Sequence, residues 1–169
     1  LIRVTVVLPA GHWDPAREVD RLVADHDGRF RRRVLMQGTK GTEFLLDLET
    51  ARHLYDGDGL LLPDGAVVRV TAAHEALLEI RAGSMTLLLQ LAWHLGNRHL
   101  AASIETDRIL IRNDHVIAAM VRGLGGLVQE IDAPFDPQSG AYHEQDSRAP
   151  DVHAHHHHEH DGHGHTHDH

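Results

Sequence analysis

Eighteen of the 169 residues are histidine, and eleven of those lie from His143 onward. They are His143, His153, His155, His156, His157, His158, His160, His163, His165, His167 and His169, with Asp151, Glu159, Asp161 and Asp168 among them. A neutral imidazole donates a lone pair to borderline dications, so nickel, zinc and copper are the fitting metals. Ligands one or two residues apart on a flexible chain can wrap an ion in many alternative ways. The segment therefore reads as several sites of moderate affinity, with the carboxylates adding charge attraction for a dication. It differs from an engineered affinity tag, because its longest histidine run is four and the remainder alternates with Asp, Gly and Thr. The intrinsic affinity order places copper above nickel and zinc, so ligand type alone leaves the metal open. The chain has no cysteine, which excludes thiolate metal sites and disulfides.

A second group of histidines lies in the body of the chain. In His94-Leu95-Gly96-Asn97-Arg98-His99, His94 ends an expected helix, Gly96 breaks it and His99 opens a strand. His115 falls at the first or second position of another expected helix, beside Asp114, which reads as a cap first and a ligand second. A lone surface histidine is usually idle, so on spacing alone these three remain candidates.

Composition limits the alternatives. The formal net charge of -9 lacks the basic footprint that phosphate binding needs, so nucleic acid is not an expected partner. Arg29, Arg31, Arg32 and Arg33 make one local basic run, read here as a solvated strand edge. No apolar stretch reaches the roughly 18 residues of a membrane span. Residues 1–10 alternate with Arg3 and Thr5 and carry no signal-type cleavage site, so a cytoplasmic location is expected. There is no GxSxG, P-loop or HExxH pattern; His74-Glu75 is followed by Leu78 where a zincin would need its second histidine. A hydrolase is therefore not expected.

The elements that must position these histidines follow from periodicity. Residues 2–6, 33–37, 43–48, 59–62 and 66–71 read as strands, separated by Gly38 and Gly41, Asp56-Gly57-Asp58-Gly59 and Pro63-Asp64-Gly65. Short strands at this spacing suggest a small barrel or sandwich over residues 1–73, with a helical turn at residues 50–55. A second domain is expected over residues 74–142. It opens with a strand at residues 76–81. A helix capped by Ser84 follows, with Met85, Leu88, Leu89, Ala92 and Trp93 as its apolar stripe and Gly96 as its stop. Strands at residues 100–105 and 108–111 turn at Thr106-Asp107. A second helix begins at Asn113 or Asp114 and carries Val116, Ile117, Met120, Val121 and Leu124. Gly125-Gly126 ends it before a last strand at residues 127–131. The β-α-β-β-α-β order predicts a ferredoxin-like domain, and the fold class is α+β. Residues 143–169 hold too little apolar surface to offset their ordering entropy and are expected to be disordered without metal.

Several of these motifs together resemble one family. His94 to His99 (HLGNRH), residues 113–116 (NDHV), Leu124-Gly125 and residues 134–142 (PFDPQSGAY) are similar to the urease accessory protein UreE. The likeness extends along the whole chain, and the GNRH and GAY elements carry it in combination. It implies a homodimer that binds nickel and passes it toward urease through the GTPase UreG and the urease–UreD–UreF complex. It also implies an N-terminal domain like a chaperone's peptide-binding domain. Through the resemblance, His99 is the interface ligand, paired with its copy across a two-fold axis. Some members have a histidine on either side of the NDHV aspartate, whereas here Asn113 holds the first position and only His115 remains. His143 or His153 could complete the His99 site from the tail. A passive nickel or zinc store is the competing reading, since the tail alone would serve it.

Imidazole ligation sets a pH test. Protons compete with the metal for the ring nitrogen, so the number of ions bound is expected to fall sharply between about pH 7 and pH 5. Equilibrium dialysis at both values checks this, and an unchanged stoichiometry would rule out imidazole as the main ligand.

Overall fold

Strands in the first half of the chain alternate between a buried and a solvated face, and two sheets close over one core. The computed structural model describes residues Leu1–Gln138; the expected tail, with all eleven of its histidines, lies outside the described residues. In chain order the elements are β1 (Ile2–Val4), β2 (Val7–Leu8), β3 (Glu18–Ala24), β4 (Phe30–Gln37), β5 (Glu43–His53), β6 (Gly59–Leu61), β7 (Val67–Ala72), β8 (His74–Arg81), α1 (Met85–Gly96), β9 (Ala102–Ile104), β10 (Ile109–Arg112), α2 (His115–Gly123) and β11 (Leu127–Pro134). One-turn 3-10 helices sit at Pro15–Arg17 and Asp27–Arg29.

The first seven strands form a sheet ordered β1-β5-β4 and a sheet ordered β2-β6-β7-β3. Phe44, Leu46 and Leu48 of β5 point inward at period two and pack with Val4, Leu54, Leu60, Val68 and Val70. Two sheets over one core agree with the expected sandwich. Strand β3 is absent from the sequence reading because its pattern is inverted. Val19 and Val23 face solvent while Asp20 is fully buried. Asp20 is satisfied there by the backbone N–H groups of Arg21, Lys40 and Thr42 and by the Thr39 hydroxyl, so it ties β3 to the turn after β4. The expected helical turn at residues 50–55 is also corrected: β5 continues through His53, pairing Phe30 with His53 and Arg31 with Arg52 beyond a register shift. Ladder pairing outweighs the weak local propensity of these residues.

The second half is the expected βαββαβ unit. Its sheet runs β11-β8-β10-β9 with every pair antiparallel. Both helices contribute to one core, where Leu78, Ile80, Ile109 and Ile111 meet Leu91, Leu95, Ile117 and Val121. The buried stripe of α1 differs from the expected one. Leu88, Leu91 and Leu95 are buried, whereas Met85, Leu89 and Trp93 are exposed. Apolar residues run almost all round α1, so periodicity alone does not choose between faces one step apart. Likewise α2 buries Ile117, Ala118 and Val121 and leaves Val116 and Leu124 exposed. No helix among the described residues is long and apolar enough to cross a membrane.

Beyond β11 the chain folds back on itself. Phe135 is fully buried against Leu77 and Leu110. Its carbonyl accepts from the guanidinium of Arg29, which also donates to Leu54 O at 2.9 Å and to Asp136 Oδ1 at 2.6 Å. Arg29 therefore departs from the solvated edge expected for the basic run. Arg32 and Arg33 are exposed, but Arg29 has no solvent exposure and fastens residues 135 and 136 to the sandwich. Removing one partner of a buried ion pair leaves the other charge uncompensated. Arg29→Ala is thus expected to lower the unfolding free energy by about 3–5 kcal/mol, measured by chemical denaturation; a loss near zero would mean the pair is not a fastening.

Candidate metal centre

The His99 turn is built from the way α1 ends. Ser84 caps the start, its hydroxyl oxygen accepting from Leu87 N at 3.2 Å. At the other end, Asn97 N donates to Trp93 O at 3.0 Å, Arg98 N to Leu95 O at 3.1 Å and His99 N to Gly96 O at 3.0 Å. Beyond the i to i−4 bond of Asn97, the turn tightens into i to i−3 bonds at Arg98 and His99. The Arg98 side chain reaches back to His94 O at 2.9 Å, satisfying a carbonyl that the helix leaves free. His99 then adopts φ +55°, the only positive φ at a non-glycine residue among the described residues. A left-handed conformation costs an L-residue about 1–2 kcal/mol, and a glycine would fit the turn without that strain. Strain retained at an exposed histidine is the kind of outlier that marks a functional position.

The other body candidates sit differently. His115 is the first residue of α2 and is exposed. Asp114 is committed as the cap, accepting from Val116 N at 2.8 Å and Ile117 N at 3.1 Å. His94 is half-buried, its ring edge-on to Trp93 with centroids 5.3 Å apart. It helps line a shallow open hollow with Thr86, Leu89, Gln90 and Trp93. Among the described residues, no three His, Asp or Glu side chains converge as a metal cage. His143, His153, His155, His156, His157, His158, His160, His163, His165, His167 and His169 lie outside the described residues.

Sequence reasoning missed a different constellation. His26 and His53 stack at 4.7 Å between centroids, and His26 packs on Phe135 at 5.5 Å. Arg29 Nη1 is 3.2 Å from His53 Nε2, and Arg112 Nη2 is 3.2 Å from His26 Nδ1. Arg112 also pairs with Asp27 at 2.8 Å, while Glu75 accepts from His26 N at 2.9 Å. Each imidazole has one ring nitrogen engaged by an arginine, and the two guanidiniums are in turn paired with carboxylates, an arrangement of packing and ion pairs. Its one sequence signal was Asp136, set inside the PFDPQSGAY element with no assigned role.

A β-sandwich joined to a βαββαβ sheet with two helices on one face defines an α+β protein, and the strained, exposed His99 is a feature of its second half. Comparison with known proteins makes this specific. Residues 4–73 match the UreE urease accessory protein N-terminal domain, and residues 75–169 match the C-terminal domain of the same family. The urease accessory protein UreE of Bradyrhizobium sp. (strain ORS 278) is 56% identical over 144 residues, covering 85% of this chain and 68% of that protein. The protein of the same name from Rhodopseudomonas palustris (strain HaA2) is 54% identical over 143 residues, covering 84% of this chain and 66% of its own length. That from Chelativorans sp. (strain BNC1) is 52% identical over 135 residues, covering 79% and 85%. The matched region thus spans about two thirds of the length of the first two relatives. The chain belongs to the UreE urease accessory protein family, a family of non-enzymatic metallochaperones.

The His53 environment sets a pH dependence of stability. Burial, then the charge of Arg29 and the ring of His26, push His53 down to about 4, against a smaller upward pull from Asp136. Between that value and the ordinary histidine value near 6.5, the unfolded chain holds a proton that the folded chain refuses. Stability is therefore lost as pH falls from about 6.5 toward 4. With the ring partly exposed and screened, about 1 kcal/mol is expected from this group. His53→Gln should flatten that part of the stability–pH curve, followed by urea midpoints; an unchanged slope would assign the dependence elsewhere.

Proposed function

We propose that this chain binds Ni(II) through histidine and delivers it for assembly of the urease active site. The supporting observation is His99 itself, exposed and strained at the end of a helix whose outward face carries exposed Met85, Leu89 and Trp93. An apolar helix face of this kind suits contact with a second copy. Two copies related by a two-fold axis bring two His99 rings together, and metal binding then favours association. With few protein ligands, such a site keeps open coordination positions for hand-off. His143 or His153 would add a ligand from the tail, and His115 serves as a secondary weak ligand. Domain limits of 1–73, 74–142 and 143–169 fit this division of labour, with the last segment collecting nickel from a scarce pool. Zinc and copper fit the same imidazoles. The partners in this reading are the GTPase UreG, which docks and supplies further ligands, and the urease–UreD–UreF complex, all in the cytoplasm.

His99→Ala with the tail intact is expected to weaken the shared site by more than about 100-fold, beyond the roughly 10–100-fold cost of losing a group that merely orients a ligand. It should also abolish urease activation in cells at limiting nickel. The measurements are nickel stoichiometry and mass of the purified variant, and urease activity beside a deletion of residues 143–169. Full activation by His99→Ala, with only the tail deletion impaired, would instead describe a passive store.

A further inference from the structure

The metal reading leaves residues 134–138 of the PFDPQSGAY element without a role, yet Gln138 contacts the strand that follows the His99 turn. Strand β9 starts three residues after His99 and is only three residues long. Its inner edge pairs with β10, Ala102 to Ile111, Ser103 to Leu110 and Ile104 to Ile109. Among the described residues, its outer edge is met by Gln138. The backbone N–H of Gln138 donates to Ala102 O at 3.1 Å. The carboxamide then accepts from Ile104 N at 2.7 Å and donates to Ile104 O at 3.1 Å. One side-chain amide thereby imitates a peptide group of a further strand, satisfying both exposed ladder groups of Ile104. The strap that carries Gln138 is held at its near end by buried Phe135 and by the Arg29–Asp136 pair.

We propose that Gln138 is a positioning residue for His99. By clamping the outer edge of β9, it fixes the strand into which the strained His99 turn runs, and so fixes the direction in which the ring is presented. A three-residue edge strand paired on one side is among the first elements to open locally. A left-handed histidine relaxes to ordinary backbone angles as soon as its flanking strand is released. Through Phe135 and Asp136 the clamp is referenced to Arg29, so both halves of the body contribute to presentation of the ring. The proposal rests on the reading of His99 as a nickel ligand.

The test uses the full-length chain with isotope-labelled histidine and backbone amides. In Gln138→Ala, exchange of the Ile104 amide is expected to accelerate several-fold, on the order of tenfold at most. On titration with Ni(II), the His99 ring signals should respond at concentrations about threefold to tenfold higher than in the unsubstituted chain. The histidines from His155 to His169, which the proposed function does not assign to the His99 site, should respond as before and act as an internal reference. Gln138→Glu keeps the acceptor for Ile104 N but loses the donor, and should fall between the two. Unchanged Ile104 exchange in Gln138→Ala would overturn the clamp. Faster exchange with an unmoved His99 response, or with the His99 response and those of His155 to His169 shifting together, would overturn the positioning role. A His99 ring that ignores Ni(II) in the unsubstituted chain would sink the nickel reading itself, and this proposal with it.

Discussion

A transition-metal dication asks for several donor atoms, and one exposed imidazole supplies a single lone pair. On the proposed reading, the way the body displays His99 answers that shortfall. His99 is displayed, strained and solvent-facing, and among the described residues no set of three His, Asp or Glu side chains surrounds an ion. On the proposed reading, a site left incomplete in one chain is finished by something that can also leave. That is the property a carrier needs and a resident metal site lacks. The apolar residues left uncovered on α1, Met85, Leu89 and Trp93, lie on the helix that ends in the His99 turn.

Holding such a turn requires rigidity from elsewhere. The backbone strain at His99 is of the same order as one net hydrogen bond, so small anchors suffice if they are well placed. The helix end supplies some, through the Arg98 reach to His94 O and the tightened last turn. The strap across the sheet's other face supplies more. There a buried guanidinium gathers the carbonyls of Leu54 and Phe135 and the carboxylate of Asp136. Burial, and after it the charge of the same guanidinium, keeps the neighbouring His53 ring neutral, so the junction avoids placing two cations side by side. Imidazole thus plays two opposite parts in one chain: exposed and free to ligate at residue 99, screened by arginine and structural at residues 26 and 53.

Much of this was legible in the sequence because local rules and tertiary structure agree. Ser84 and Asp114 cap the helices, Gly125 takes a positive φ beyond α2, and the βαββαβ order emerges from periodicity. The histidine motif was equally plain, since GNRH sits where a helix must stop. Three features were hidden for physical reasons. Strand β3 turns valines outward and buries Asp20, so its period-two signal has the wrong sign. Helix α1 is apolar on nearly every face, so its buried stripe was displaced from the one that alternation suggested. Arg29 lay in a run of arginines and looked solvated; its burial depends on Asp136, more than a hundred residues away, which no local pattern encodes. The family resemblance, carried by GNRH together with PFDPQSGAY, agrees with both domain matches.

The most direct test is diffraction at the nickel edge from crystals of the full-length chain grown with Ni(II). The account predicts an anomalous peak on a two-fold axis, bonded by the His99 rings of two copies. A nickel peak elsewhere, with both His99 rings remote from it and from any contact between copies, would contradict it.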